Sequence, residues 1–219
     1  MVGFLALGVW QVERLGWKLD LIARVEARIQ APPSPLPPPV QWPAINERDD
    51  AYRHIQAQGI LLHHCETLVQ ALTELGGGYW VMTPLQTSGG VVFVNRGYVP
   101  YDRRDSSTRN AAQFTGPISV TGLLRLNEPG GTMLRSNDPG AGRWVSRDVE
   151  AMGASCGLSE VAPFFIDADA TANPGGYPVG GLTVVDFSNN HLVYALTWFA
   201  LAVLSAVGAA LTLRAGRYR

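Results

Sequence analysis

The sequence is short of cysteine, carries almost no net charge and has no nucleotide-cradling loop, and each shortage excludes something. Cys65 and Cys156 are its two cysteines, so there is no Cys-x-x-Cys pair. They permit one disulfide in an oxidising compartment, or stand as two buried thiols. A formal net charge of −1 offers nothing to a polyanion, and no nucleic-acid partner is expected. The glycine clusters at 129–131 and 174–181 lack the strand-then-helix setting of a phosphate loop and read as turns. No enzymatic activity is expected. The N-terminus has neither a basic leading region nor a small-residue cleavage site, so it is not read as a secretory signal.

What is present is dominated by one uncharged run. Between His191 and Arg214 no side chain is charged. Leu192–Leu213 gives about 22 residues, or roughly 33 Å of helix, against a hydrocarbon core of roughly 30 Å. Residues 189–213 are read as a transmembrane helix and 214–219 as a basic cytoplasmic tail, with Arg214, Arg217 and Arg219. At the other end, the first ten residues are apolar, before Gln11 and Glu13. Trp10 and Trp17 with Arg14 and Lys18 form an interfacial belt, and the helical pattern continues through Leu21, Val25 and Ile29 until Pro32. Residues 1–30 are expected to be a first membrane helix with a truncated start, plus its extramembrane extension. A short interfacial helix that never spans is the rival.

Residues 31–43, Ala-Pro-Pro-Ser-Pro-Leu-Pro-Pro-Pro-Val-Gln-Trp-Pro, favour extended polyproline II. They read as a stiff spacer, or else as a ligand for an aromatic groove. From 44 to 188 short alternating runs predict a β-rich domain, with strands at 52–62, 79–85, 91–97, 118–125, 163–167 and 182–187. Thr-Ser-Gly-Gly at 87–90 predicts a hairpin turn. A helix is expected after Ser146, capped by that residue and ended by Gly157. The fold class is therefore a membrane protein of α+β type. Two transmembrane helices, the first truncated, flank a mainly antiparallel, barrel-like sheet domain.

Three groups invite a chemical reading. His63, His64 and Cys65 are metal-capable, but neighbours on a strand face opposite ways, so His63 with Cys65 would supply only two ligands, for copper or zinc. Arg96 could clamp a carboxylate or tie down a bend through backbone carbonyls. His191, Tyr194 and Trp198 fall at i, i+3 and i+7 of the last helix, with Ala195 leaving that face shallow. An imidazole there could hold the iron of a flat apolar macrocycle. Interface anchoring among lipid headgroups is the plainer reading.

Several blocks of the chain resemble the surfeit-locus family of cytochrome c oxidase assembly factors. They are the segments from Gly8 (GVWQVERLGWKLDLI), Gly78 (GYWVMTPL), Val92 (VFVNRGYVP), Val120 (VTGLLRLNEP), Asn137 (NDPGAGRWVSRD), Pro163 (PFFIDAD) and Gly180 (GGLTVVDFSNNHLVYALTWFALA), in family order. The family carries a full membrane helix at the N-terminus, and this chain departs from it there. The resemblance implies a bacterial inner-membrane protein with its central domain in the periplasm. It also implies a part in supplying haem a to the catalytic subunit, subunit I, of the haem–copper oxidase. The haem synthase and the lipid bilayer are the further partners expected. The family's haem-linked histidine and tryptophan match His191 and Trp198, so His191 is expected as the axial ligand of the iron, with Tyr194 added from helical geometry alone. Two alternatives stand beside this. One is a structural chaperone gripping an oxidase subunit through surfaces near Arg96 or Trp144. The other is copper delivery through His63 and Cys65.

Overall fold

The computed structural model describes residues 2–132, 134–183 and 189–216. It divides into two compact units, residues 28–184 and residues 1–27 with 185–219. Each is described by itself.

The chain begins with α1 (Val2–Gln30). The larger unit then opens with β1 (Ser34–Pro35), a 3-10 turn at Pro39–Ala44 and the single-turn α2 (Glu47–Asp50). The strands β2 (His54–Leu61), β3 (Thr67–Thr73), β4 (Gly76–Thr87), β5 (Gly90–Pro100) and β6 (Pro117–Leu126) follow. After them come the small pair β7 (Gly131–Thr132) and β8 (Arg135–Ser136), helix α3 (Val149–Ser155) and strand β9 (Val161–Ala168). The main sheet runs β1-β2-β6-β9-β5-β4-β3. A further pairing of Ile60 with Gln86 and Leu61 with Leu85 joins β2 to β4, closing β2-β6-β9-β5-β4 into a barrel. Gly59 permits this closure, because a Cβ there would lie 2.2 Å from the Gln86 carbonyl oxygen. Only β5–β9, within the closed ring, is parallel.

Alternation explains why the first halves of β5 and β9 are almost wholly apolar. Val92, Val94, Phe164 and Ile166 point into the barrel with Ile55, Leu85 and Leu124. Phe93 and Phe165 point out, onto a second core with Met82, Trp144, Val149 and Met152. Both faces are buried, so the runs stay apolar until Asn95 and Arg96 on β5 and Asp167 on β9. Hairpin pairing of Thr87 with Gly90 matches the predicted turn. Strand β3, which was not foreseen, pairs with β4 from Thr67 to Thr73.

Three expectations are corrected here. The proline-rich segment is not a free spacer: Ser34 and Pro35 extend the sheet, and Trp42 is buried edge-on against Phe164 with centroids 6.0 Å apart. The α3 cap is Asp148, whose carboxylate accepts the Ala151 N–H at 3.1 Å, while the Ser146 hydroxyl donates to the Glu128 carbonyl. Asp148 accepts at the right spacing; Ser146 lies too far upstream. Of the run read as a strand at 182–187, Leu182 and Thr183 are not in a strand and 184–187 lie outside the described residues. Arg217 and Arg219 of the expected basic tail also lie outside them.

In the smaller unit, α1 is joined by α4 (His191–Gly216). Among the described residues α4 is the one helix long and apolar enough to cross a membrane, by length and composition. No such apolar window is present in α1, whose second half is charged. The expectation of two spans therefore receives support from one helix.

Candidate functional site

Residues Phe4, Gly8 and Gln11 recur at i, i+4 and i+7 on α1, and His191, Ala195, Trp198 and Ala202 at i, i+4, i+7 and i+11 on α4. The contacts pair them in antiparallel order. Trp198 stacks on Phe4 with centroids 5.8 Å apart and planes 19° from parallel. Phe199 lies over Gly8, where a Cβ would come within 2.5 Å of its ring. Ala195 and Ala202 are buried in the seam. Small residues let two helices approach where lipid-like surroundings provide no hydrophobic drive to associate. Tyr194, 54% exposed, is off this seam.

At the head of α4 the seam ends in one polar contact: His191 Nδ1 lies 2.7 Å from Gln11 Oε1. Gln11 is itself buried. An amide oxygen only accepts, so Nδ1 carries the proton and donates, which leaves the Nε2 lone pair for another ligand. This is the arrangement by which a metal-ligating histidine is held in one tautomer and orientation. The donor set fits a haem iron: an imidazole oriented through Nδ1, with an aromatic surface two turns away on the same helix face. The structure thus brings His191 and Trp198 to one seam and adds Gln11, which sequence reasoning missed. Gln11 was read only as the end of the first apolar run, because helical periodicity within one segment cannot say which face a distant helix will cover.

The larger unit holds two charged clusters. The Asp167 carboxylate, 3% exposed, accepts from Asn95 at 2.8 Å, Arg125 at 3.2 Å, Arg147 at 3.2 Å and the Thr183 hydroxyl at 3.1 Å. Arg147 also grips Glu128, its Nη2 2.5 Å from Oε1. Partial burial opposes the ionisation of Glu128, but the hydrogen bond and charge of Arg147 outweigh it and hold the carboxyl below its ordinary range. The second cluster joins Arg96, Glu66 and Arg109. Arg109 donates to both Glu66 oxygens, at 2.8 and 3.3 Å, and Arg96 Nη1 lies 3.7 Å from Glu66 Oε2. The Arg96 Nη2 donates to the Ala112 carbonyl. Arg96 therefore faces a carboxylate and ties down the 106–112 turn. Trp144 belongs to the outer core, its carbonyl accepting from Gln70.

The metal reading moves. His63–Cys65 form a 3-10 turn, not a strand end, and His63 Nε2 meets the Phe114 carbonyl at 3.1 Å. The side chains that come together are His64, Cys65 and Cys156, and the two cysteines form a disulfide with Cα atoms 5.8 Å apart. Sulfurs bonded to each other are not thiolate ligands, so His63 with Cys65 makes no metal site in this structure. One spacing passed over in the sequence is Gly153-Ala154-Ser155-Cys156-Gly157, that of a nucleophile elbow. Here it closes α3 instead of following a strand, and the Ser155 hydroxyl donates to the Met152 carbonyl at 2.8 Å.

A barrel-like sheet domain together with one helix long and apolar enough to cross a membrane defines an α+β protein. The SURF1 family model matches residues 1–203. Surfeit locus protein 1 of Homo sapiens is 35% identical over 219 residues, spanning 91% of this chain and 70% of that protein. Surfeit locus protein 1 of Rattus norvegicus is 33% identical over 218 residues, spanning 91% and 69%. A SURF1-like protein of Monosiga brevicollis is 32% identical over 216 residues, spanning 91% and 79%. The chain belongs to the SURF1 family, the surfeit-locus family of cytochrome c oxidase assembly, and its role lies in assembling that oxidase.

Proposed function

We propose that within oxidase assembly this protein holds haem a on His191 and aids its insertion into subunit I, receiving it from the haem synthase. The observation that carries this reading is the Gln11–His191 hydrogen bond, which engages Nδ1 and leaves Nε2 for a ligand at the head of an apolar helix. A bound haem would supply an iron centre seeking axial ligands. His191 would give one, Gln11 would hold its ring, and Trp198 would offer an aromatic face. Tyr194 stands nearby on the exposed side and is a weaker candidate contact. His191 is the one histidine on a helix of the smaller unit. A monomer thus provides one imidazole there, and a singly held haem is released more readily than one clamped between two. No catalytic step is proposed.

The same reading places the chain in a bacterial inner membrane with α1 as a second span and the barrel domain in the periplasm. Support comes from the mean hydropathy of 2.0 in the most apolar window of α4 and from the Cys65–Cys156 disulfide, a bond that persists in oxidising compartments. The test is an absorption spectrum of detergent-purified wild type and His191→Ala from a host that makes haem a, with extracted haem quantified. Near-stoichiometric haem a, lost or spectrally shifted in the variant, is expected. A folded wild type without haem would overturn the reading in favour of a chaperone that grips an oxidase subunit. Bis-histidine ligation in the monomer would overturn the single-ligand release step.

A further inference from the structure

The Arg96 cluster has a charge imbalance. Arg96 and Arg109 are 4% and 5% exposed, and both lean on the single carboxylate of Glu66. The three groups carry one formal positive charge in excess. The backbone carbonyls of Arg103, Arg104 and Ala112 accept hydrogen bonds from the two guanidiniums but cancel no charge. His63 adds none in its neutral form: burial first, and Arg96 second, hold it below its ordinary range. Burial, opposed by Glu66 and reinforced by Arg109, brings Arg96 itself down to about 10. An uncompensated charge away from water is costly unless an anion accompanies it.

Arg96 also lines a cleft of about 480 Å³, a size suited to a small molecule. Its walls are Leu61, Val94, Phe114, Ile118 and Val120, continuous with the barrel core. Phe114 places its ring 5.8 Å from the guanidinium carbon. Beyond the Ala112 carbonyl, the Arg96 guanidinium makes no hydrogen bond among the described residues, its Glu66 contact being too long for one. Free donors therefore remain beside an apolar cavity. Asp169 is the acidic residue of the lining; it is half-buried, and its Oδ1 is engaged by the Thr171 N–H at 2.9 Å.

We propose that this cleft is a binding site for a small amphiphilic monocarboxylate, its head on Arg96 and its apolar body against the Leu61–Val94–Phe114 wall. The unused donors of a buried guanidinium suit an anionic head, and a planar carboxylate fits the guanidinium fork. The apolar walls select the body. Nothing in this site involves His191, so it goes beyond the haem reading.

The test uses the full chain in lipid nanodiscs, with octanoate as probe and octanamide as its uncharged analogue, read by saturation-transfer NMR titration. Octanoate is expected to bind wild type at least tenfold more tightly than octanamide. Arg96→Gln should abolish that preference. As Arg96 also anchors the 106–112 turn, a second variant guards against misfolding. Ala172→Trp, on an exposed residue of the cleft lining, should weaken octanoate at least tenfold while leaving the unfolding midpoint unchanged. His191→Ala should bind octanoate as wild type does, whatever becomes of haem, which separates this site from the function proposed above. Absence of octanoate binding to wild type, equal binding of octanamide, or undiminished binding to Ala172→Trp would each overturn the proposal.

Discussion

The two units solve the burial of polar groups in opposite ways. In the barrel unit, polar groups are buried in numbers and answer one another: Asp167 alone engages four side chains, and Glu66 is shared by two arginines. Their desolvation is offset by these ion pairs and hydrogen bonds to one another. In the helical unit the seam is made of Gly8, Ala195, Ala202 and stacked aromatics, with Gln11–His191 as the polar contact described within it. Only 6% of the most apolar window of α4 is buried inside the protein, so this helix gains little from contact with its own chain. A lone polar pair in an otherwise apolar seam is a better pointer to function than any of the many pairs a barrel contains.

The sharpest way to break this contrast is to remove Asp167. Asp167→Ala takes the buried carboxylate from Arg125 and Arg147 and leaves them only the more exposed Glu128. Removing one partner of a buried ion pair costs about 3–5 kcal/mol. Denaturant unfolding of the full chain should show a loss of that order in the barrel transition, while the ¹⁵N signal of the His191 Nδ1–H tautomer persists. Loss of both together would show that the two units do not stand apart energetically. The converse variant is Gly8→Leu, which drives a side chain into the Phe199 ring. Overpacking of a tight contact costs about 1–3 kcal/mol. Here the Nδ1–H signature should be lost as the helices separate, with the barrel midpoint unmoved. An unchanged signature would mean that Gly8 does not set the distance between Gln11 and His191.

These contrasts also show what the sequence could and could not convey. Alternation and turn residues located β2, β4, β5, β6 and β9, because each is a local pattern imposed by a two-sided sheet. The hairpin at 87–90 was legible for the same reason. Strand β3 was missed: its run from Thr67 to Thr73 is flanked by His63–Cys65, which drew a chemical reading, and its burial depends on Trp144 far along the chain. Trp42 was read as part of a spacer because proline composition says nothing of where a tryptophan beyond it will dock. At the candidate site, the spacing of His191 and Trp198 was visible on one helix. Gln11 was not, since a partner 180 residues away is specified by packing of Gly8 against Phe199 and not by any local period.

The smallest expected effect tests the barrel unit through pH. His63 donates through Nε2 to the Phe114 carbonyl, and its Nδ1 is buried without a partner. Burial first, and the nearby charge of Arg96 second, disfavour the protonated ring in the folded state, so the His63 pKa lies below its ordinary 6.5. Between that lowered value and 6.5 the unfolded chain binds more protons than the folded one, so stability rises with pH across the window. The contribution is complete above about 6.5 and is lost as pH falls towards the folded pKa. His63→Gln keeps an N–H donor for Phe114 but cannot titrate. Comparing unfolding free energies of the two proteins from pH 8 to 5 should give a difference that is flat above about 6.5. Below it, wild type should decline relative to the variant by no more than about 1.4 kcal/mol per pH unit. A parallel decline in both would assign the acid sensitivity to other groups and show that Arg96 and the buried turn place no strain on the His63 ring.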